Sequence, residues 1–424
     1  MRLGNPLRGT LTVLFLTSLL LLPALAAAST QPTPTTPQTT TSSTLKLVCN
    51  ENYLYLKTDA AVPIAHISYV FPPDYHFQTP LYLDIIPDST ATITQVAIVN
   101  DTNAPNILAT FTITNLTTNQ TVLIHFNSYA LINPHDFSDL PHYVSMPWPW
   151  NLPKDTRQWL QASTVVQTHN LAIDLTAIRL RMGTSNLMRY ANRVIFFTRH
   201  HHEAFYALQL TRGTLKGQDA RTTLRRSGDC PGRSHLASAL FRAEGIPSRS
   251  IMVSQHDTYW VQMHYMIEFY CPGYGWILSQ PHGGQTPVEQ TRDLILRICY
   301  PADEARTIHD YVFPQMTGEE QWIWIDSSHV TPIYTMAMDQ SRQTLHLTSN
   351  QTTDDITAAY TMSLSRLVFH QYQTYLGINL AGPNYHHYLN ATTAQHQALT
   401  DFSTSLTTYL ADMNRALEEY QQIT

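Results

Sequence analysis

One stretch constrains this chain more than any other. Residues 228–247 read Gly-Asp-Cys-Pro-Gly-Arg-Ser-His-Leu-Ala-Ser-Ala-Leu-Phe-Arg-Ala-Glu-Gly-Ile-Pro. Pro231 suits the first helical position, where a missing N–H costs nothing. Leu236, Ala239, Leu240 and Ala243 recur at helical spacing, and Gly245 with Pro247 supplies the stop. The spacing predicts an amphipathic helix with Cys230 at its N-terminus. Free N–H groups and the positive dipole end there favour thiolate over thiol. A cysteine in that position points to thiol chemistry.

A thiol nucleophile needs a base to take its proton, and the base needs a partner to fix its tautomer. Tyr259 to Tyr270 alternates as a strand and carries His264; Pro272-Gly-Tyr-Gly275 is a turn, and Trp276 to Ser279 is a second strand ending at Gln280. Paired antiparallel beside the Cys230 helix, the two strands bring His264 and Gln280 together. Glu268 lies four residues beyond His264 on the same strand face. It reads as an ion-pair partner for an arginine such as Arg249, ahead of a charged neighbour for His264.

Taken together, Gly228-Asp-Cys230, Leu-Phe-Arg-Ala-Glu-Gly-Ile-Pro-Ser-Arg249, His264-Tyr-Met-Ile-Glu-Phe-Tyr and Gly273-Tyr-Gly-Trp276 before Gln280-Pro281 resemble the transglutaminase-like core. That family belongs to the papain-like cysteine enzymes. The resemblance spans about 154–300 and is strongest over 218–281. It implies a Cys-His-Asp triad performing acyl transfer from an amide, with Cys230 as nucleophile and His264 as the histidine. The third position departs, because Gln280 stands where the family usually has aspartate. A glutamine carbonyl can still accept from His264 Nδ1–H, and papain-like sites work with an amide orienter. Being neutral, it would stabilise an imidazolium less than a carboxylate does. The Cys230 amide is the expected oxyanion donor. Arg225, Arg226 and Arg233 read as solvated flank charges, and Asp229 as a cap.

Charged residues make up 13% of the 424 residues and the net charge is -6; about a quarter of residues is usual for the charged share. Nothing here indicates nucleic-acid binding or strong electrostatic steering of a partner. Arg2 and Arg8, the apolar run Leu11 to Leu22 and Ala24-Leu-Ala-Ala-Ala28 form an export signal over 1–28, cleaved or kept as a signal anchor. A Thr/Pro-rich spacer at 29–44 cannot bury a core. Short alternating runs at 45–135 predict an antiparallel β-sandwich-like domain. Pro147-Trp148-Pro149-Trp150 falls in an irregular link.

The core over 154–300 begins with helices predicted at Thr156–His169, Leu171–Arg181 and Leu187–Arg199. Residues 301–424 carry a strand at Gln321–Asp326 and two long helical patterns, Asp354–Leu376 and Thr392–Gln421. The second pattern bears an apolar stripe, Leu399, Phe402, Leu406, Tyr409, Leu410, Met413, Leu417 and Tyr420, that reads as core packing ahead of a dimer seam. The cysteines Cys49, Cys271 and Cys299 leave a Cys271–Cys299 disulfide or three buried thiols open. His200-His201-His202-Glu203 lacks the spacing of a zinc helix, and no cofactor or metal is expected.

The fold expected is thus α+β: a papain-like transglutaminase core with an N-terminal β-sandwich-like domain and a helical C-terminal extension. The protein expected is a secreted or cell-surface thiol enzyme acting on peptide or protein amides, cell-wall peptide included. Its competitor is a catalytically weakened domain of the same fold, kept for binding.

Overall fold

The computed structural model describes residues 43–424 apart from 59–60, 76, 88, 91, 119, 135–136, 204–218, 257–260, 290–292, 307–311, 318–335 and 340–342. The export signal at 1–28, most of the spacer and the strand expected at Gln321–Asp326 lie outside the described residues. Residues from Ser42 onward form one compact unit.

Alternating apolar runs become six strands: β1 (Ser43–Thr58), β2 (Val62–Phe71), β3 (Gln78–Ile85), β4 (Ile93–Asn100), β5 (Ile107–Leu116) and β6 (Thr121–Ile132). They divide between two antiparallel sheets. Tyr69 and Phe111 of one sheet meet Phe126 of the other with ring centroids 5.3 and 5.1 Å apart, so the sheets face each other across a shared apolar layer. Ser43 and Thr44, assigned to the spacer from sequence, are already strand, paired with Thr353 and Thr352.

The central region carries α1 (Leu171–Arg181), α2 (Leu187–His200), α3 (Ala220–Arg225) and α4 (Cys230–Ala243), then β7 (Ser248–His256), β8 (Val261–Cys271), β9 (Gly275–Ser279) and β10 (Leu294–Ile298). Asn170 and Asn186 cap α1 and α2 by accepting from Ala172 N and Met188 N. The helix expected at Thr156–His169 does not form. A short 3-10 helix covers Lys154–Leu160. Beyond it, Ser163 Oγ accepts from Val166 N at 3.0 Å and Gln167 Nε2 donates to Thr164 O, local bonds that compete with a helical ladder.

The strand order β10-β7-β8-β9 makes a sheet that is buried on both faces. Ile251, Val253, Met266, Ile267 and Phe269 pack with α4, whereas Met252, Tyr265, Leu294 and Leu296 pack with the sandwich core. Double burial explains why 294–298 is apolar at every position but Arg297, which pairs with Asp101 and Asp303. The open edge of β10 is closed by side chains from the sandwich. Gln78 receives from Ile295 N and donates to Ile295 O, both at 2.8 Å, and Asn106 does the same for Ile298 N and O.

The chain then returns to the sandwich. β11 (Val312–Thr317) pairs with β2, while β12 (Met336–Asp339) and β13 (Gln343–Thr353) pair with β1. Next come α5 (Asp355–Tyr375), α6 (Gly382–Asp401) and α7 (Leu406–Gln421). One helix was expected over 392–421, but it breaks at 402–405. Thr404 N and Ser405 N donate to Asp401 O, and Ser405 Oγ caps α7 by accepting from Thr408 N. The apolar stripe is consumed inside the chain: Leu399, Phe402, Tyr409, Met413 and Tyr420 are buried in the same core as the sandwich. Tyr372 Oη and Gln395 Nε2 donate to Leu83 O and Leu81 O of β3.

Helix α4 organises the central region. Every residue from Pro231 to Arg242 is buried, so the helix is enclosed rather than amphipathic. Arg242 donates to Ser248 O, to Gln161 O and to both oxygens of Glu304, and both side chains of this ion pair have no exposed surface. Removing one member of a buried pair strands the other charge. Glu304→Ala should therefore cost about 3–5 kcal/mol. Urea unfolding of the full chain measures it, and a loss below about 1 kcal/mol, as for an exposed pair, contradicts this account.

Candidate active site

Three local devices fix the N-terminus of α4. Asp229 is the cap, its Oδ1 accepting from Cys230 N at 2.8 Å. Gly228 sits so close to its neighbours that a Cβ there would lie 2.5 Å from Thr223 Oγ1 and 3.1 Å from Gly232 Cα. Arg233, expected to be solvated, is 1% exposed. Its guanidinium donates to Gly228 O at 3.1 Å and to Arg199 O at 2.9 Å, tying the cysteine loop to the end of α2. Arg225 and Arg226 are exposed.

Strand β8 presents the histidine. Pairing with β9 ends at Ile267–Ser279, so β9 leaves that edge of β8 unpaired on the N-terminal side of Ile267. Tyr265 uses it to hold α4: its C=O accepts from Ser234 Oγ at 3.1 Å, and its N–H bonds to the Cys230 sulfur. Cys230 therefore lies against the backbone of the residue that follows His264. His264 itself is 3% exposed. Gln280, at the end of β9, brings its Nε2 to 3.2 Å from His264 Nε2. The contact was expected at Nδ1; the structure places it at Nε2. Gly283 makes room for it, since a Cβ there would stand 2.3 Å from Gln280 Oε1.

Burial sets the protonation of this group. It pushes the Cys230 thiol up to about 12, with the neighbouring Asp229 charge acting in the same direction and the Tyr265 N–H opposing. The helix terminus was expected to favour thiolate, and desolvation outweighs it. Burial also lowers His264 to about 4, helped by His282. The resting pair is neutral thiol and neutral imidazole. The Cys230 amide, expected as an oxyanion donor, is engaged by Asp229 Oδ1.

His282 escaped the sequence reading. Its ring stands edge-on to His264 with centroids 5.9 Å apart, and burial lowers its own pKa, with Arg233 adding to the effect. The only signal was its place two residues after Gln280 in a Pro-His-Gly-Gly turn. Glu268 does not serve His264. Its Oε2 accepts from Arg249 Nε at 2.8 Å and from Tyr75 Oη at 2.6 Å. The Arg249 guanidinium carbon lies 3.7 Å from the Trp276 ring centroid and 4.7 Å from that of Trp159.

All four cysteines are free thiols, and Cys49, Cys271 and Cys299 are buried, so the Cys271–Cys299 disulfide does not form. Among the described residues, no group of three or more His, Cys, Asp and Glu is arranged to hold a metal. His201 Nε2 lies 2.6 Å from Leu224 O instead.

Residues 188–281 match the family model of the transglutaminase-like superfamily. This is the resemblance read from the Cys230, His264 and Gln280 motifs, and it covers α2 through β9. A protein of Cytophaga hutchinsonii, named as a candidate cysteine protease, shares the fold. The TM-score is 0.51 at 15% identity, over 72% of this chain and 90% of that one. A candidate protease of Parabacteroides distasonis aligns over 52% of this chain and 43% of its own, at 14% identity and a TM-score of 0.22. No curated protein matches the sequence. The fold is thus α+β with a transglutaminase-like core, an N-terminal sandwich and C-terminal helices.

Two outcomes follow from the buried neutral pair. An unfolded histidine titrates near 6.5 and His264 near 4, so the unfolded state takes up the proton first as pH falls. His264 therefore withdraws roughly 3 kcal/mol of stability between about pH 6.5 and 4, and nothing above that window. Urea unfolding across it should show the wild type losing that much more than His264→Gln; parallel curves would refute the assignment. Gln280→Glu keeps the length and adds a charge, so NMR titration should find the His264 pKa raised by about one unit or more.

Proposed function

We propose that this chain is a thiol-dependent acyl-transfer enzyme acting on peptide or protein amides, with Cys230 as nucleophile, His264 as base and Gln280 as orienting partner. The observation that carries it is the Gln280–His264 contact at 3.2 Å, one residue from the backbone N–H that bonds the Cys230 sulfur. From a neutral pair, Cys230 attacks the amide carbon as its proton passes to His264. The tetrahedral intermediate then collapses, and His264 returns that proton to the departing amine. For this step the Gln280 amide is turned end for end, so that its carbonyl accepts from His264 Nε2–H and leaves Nδ1 unprotonated to receive the thiol's proton. Water resolves the acyl-enzyme in a peptidase, an amine in a transglutaminase, and hydrolysis of peptide bonds is the reading favoured here. The apolar N-terminal segment supports export to the cell surface or beyond, where cell-wall peptide is one substrate class.

One observation favours a second reading, a weakened domain kept for binding or scaffolding. Asp229 occupies the Cys230 amide and adds to the rise of the thiol pKa. Peptide release from labelled casein separates the two. The enzyme reading expects release that falls to background in Cys230→Ser and about 10²–10⁴-fold in His264→Ala. Release from the wild type no greater than from Cys230→Ser selects the binding module. Iodoacetamide labelling of Cys230 at about pH 7.5 should be slower than that of a denatured cysteine, as a raised thiol pKa requires.

A further inference from the structure

The segment Pro147-Trp148-Pro149-Trp150 has no part in the thiol site, yet it is built with care. Trp148 and Trp150 stack with centroids 4.9 Å apart and planes at 20°, while remaining 57% and 68% exposed. Two large exposed indoles stacked on each other form a contiguous apolar patch, which marks an interaction surface more often than scattered single residues do. They are also held rigidly. Asn151 N donates to Trp148 O at 2.9 Å, Arg157 donates to Trp150 O at 3.0 Å, and Met146 N donates to Ser185 O at 3.1 Å. Pro149 packs on Gly245, where a Cβ would lie 3.1 Å from Pro149 Cγ at a φ of +73°.

Trp148 forms one wall of a cavity of about 600 Å³ at the C-terminal end of α4, within the size range of small-ligand sites. Arg181 and Glu244 also line it, paired at 2.6 Å, with the Glu244 side chain 6% exposed and that of Arg181 45%. Ser145 and Ser185 add hydroxyls, and Met146 and Leu160 add apolar surface. Cys230 is at the other end of the same helix, roughly 20 Å away at 1.5 Å per residue.

We infer that this cavity binds a neutral carbohydrate, a pyranose unit of an oligosaccharide. The aromatic wall offers a flat face to the C–H side of a sugar ring. Arg181 supplies donors and Glu244 acceptors, which suits vicinal hydroxyls that both donate and accept. Because the two charges neutralise each other, the site favours an uncharged ligand over an ionic one. The indoles lie open to solvent, so a chain of sugars can run past the cavity.

The probes are cellohexaose, chitohexaose, xylohexaose and maltohexaose, titrated into the full chain and followed by tryptophan fluorescence. At least one should give a saturable change with a Kd between about 10 μM and 1 mM. Trp148→Ala should weaken it at least about tenfold, Trp148→Phe should retain most of it, and Glu244→Gln should weaken it. Iodoacetamide labelling of Cys230 should be unchanged in the Trp148 variants, which separates this site from the thiol chemistry. No saturable response below about 10 mM, or equal affinity in Trp148→Ala, overturns the inference. A response to a polyproline peptide and to none of the sugars also overturns it, in favour of peptide docking.

Discussion

The enclosed polar helix α4 is the constraint on which the other elements depend. A helix that carries Arg233, Ser234, His235, Ser238 and Arg242 would ordinarily turn those residues to water. Here all five are buried, so each must be answered from a neighbouring element or the helix could not be enclosed. For four of them the partners are Gly228 and Arg199 for Arg233, Tyr265 for Ser234, Ser248 for Ser238, and Ser248, Gln161 and Glu304 for Arg242. A buried ion pair gains little against an apolar replacement, because desolvation offsets most of its attraction. What these bonds do secure is one register of the helix against β7, β8 and the segment before α1. The cysteine at its tip is positioned by the same bonds.

The sheet beneath α4 shows the same logic applied to backbone. Covered by helices on one face and by the sandwich on the other, it has no solvent with which to satisfy an edge strand. Gln78 and Asn106 therefore act as a surrogate strand for β10. Ser254 Oγ adds a bond to Asn50 from β7. The sandwich is thereby bonded directly to the sheet that bears His264. The returning strands β11 to β13 complete that sandwich, so residues distant in sequence share one core.

Much of this was legible in the sequence, and what was not fails for identifiable reasons. The boundaries of α1, α2 and β9 follow from periodicity and caps, because propensity and packing agree there. The 156–169 segment reads as helix but yields to Ser163 and Gln167, whose side chains bond nearby backbone. Arg233 and His282 were hidden because burial of a polar residue depends on partners distant in sequence. Gln280 was found by its place at the end of β9, yet the ring nitrogen it meets is decided by the χ2 of His264, which no pattern encodes. The protonation state is the least legible feature. A helix N-terminus favours thiolate, but the effect is modest, and the dry surroundings that elements distant in sequence create around Cys230 outweigh it.

That dryness reframes the departure at the third position. A carboxylate beside His264 stabilises imidazolium, which matters most when thiolate and imidazolium exist before the substrate arrives. In this fold burial raises the thiol and lowers the imidazole together, so the resting pair carries no charge for a carboxylate to stabilise. A neutral amide can then orient the ring through Nε2 without placing an unpaired anion in a desolvated pocket, which would itself cost several kcal/mol. Charge would develop only during proton transfer, when substrate has displaced the remaining water. Gln280 is on this argument consistent with its surroundings, and the carboxylate nearest to the thiol, Asp229, is directed into capping the helix that carries it.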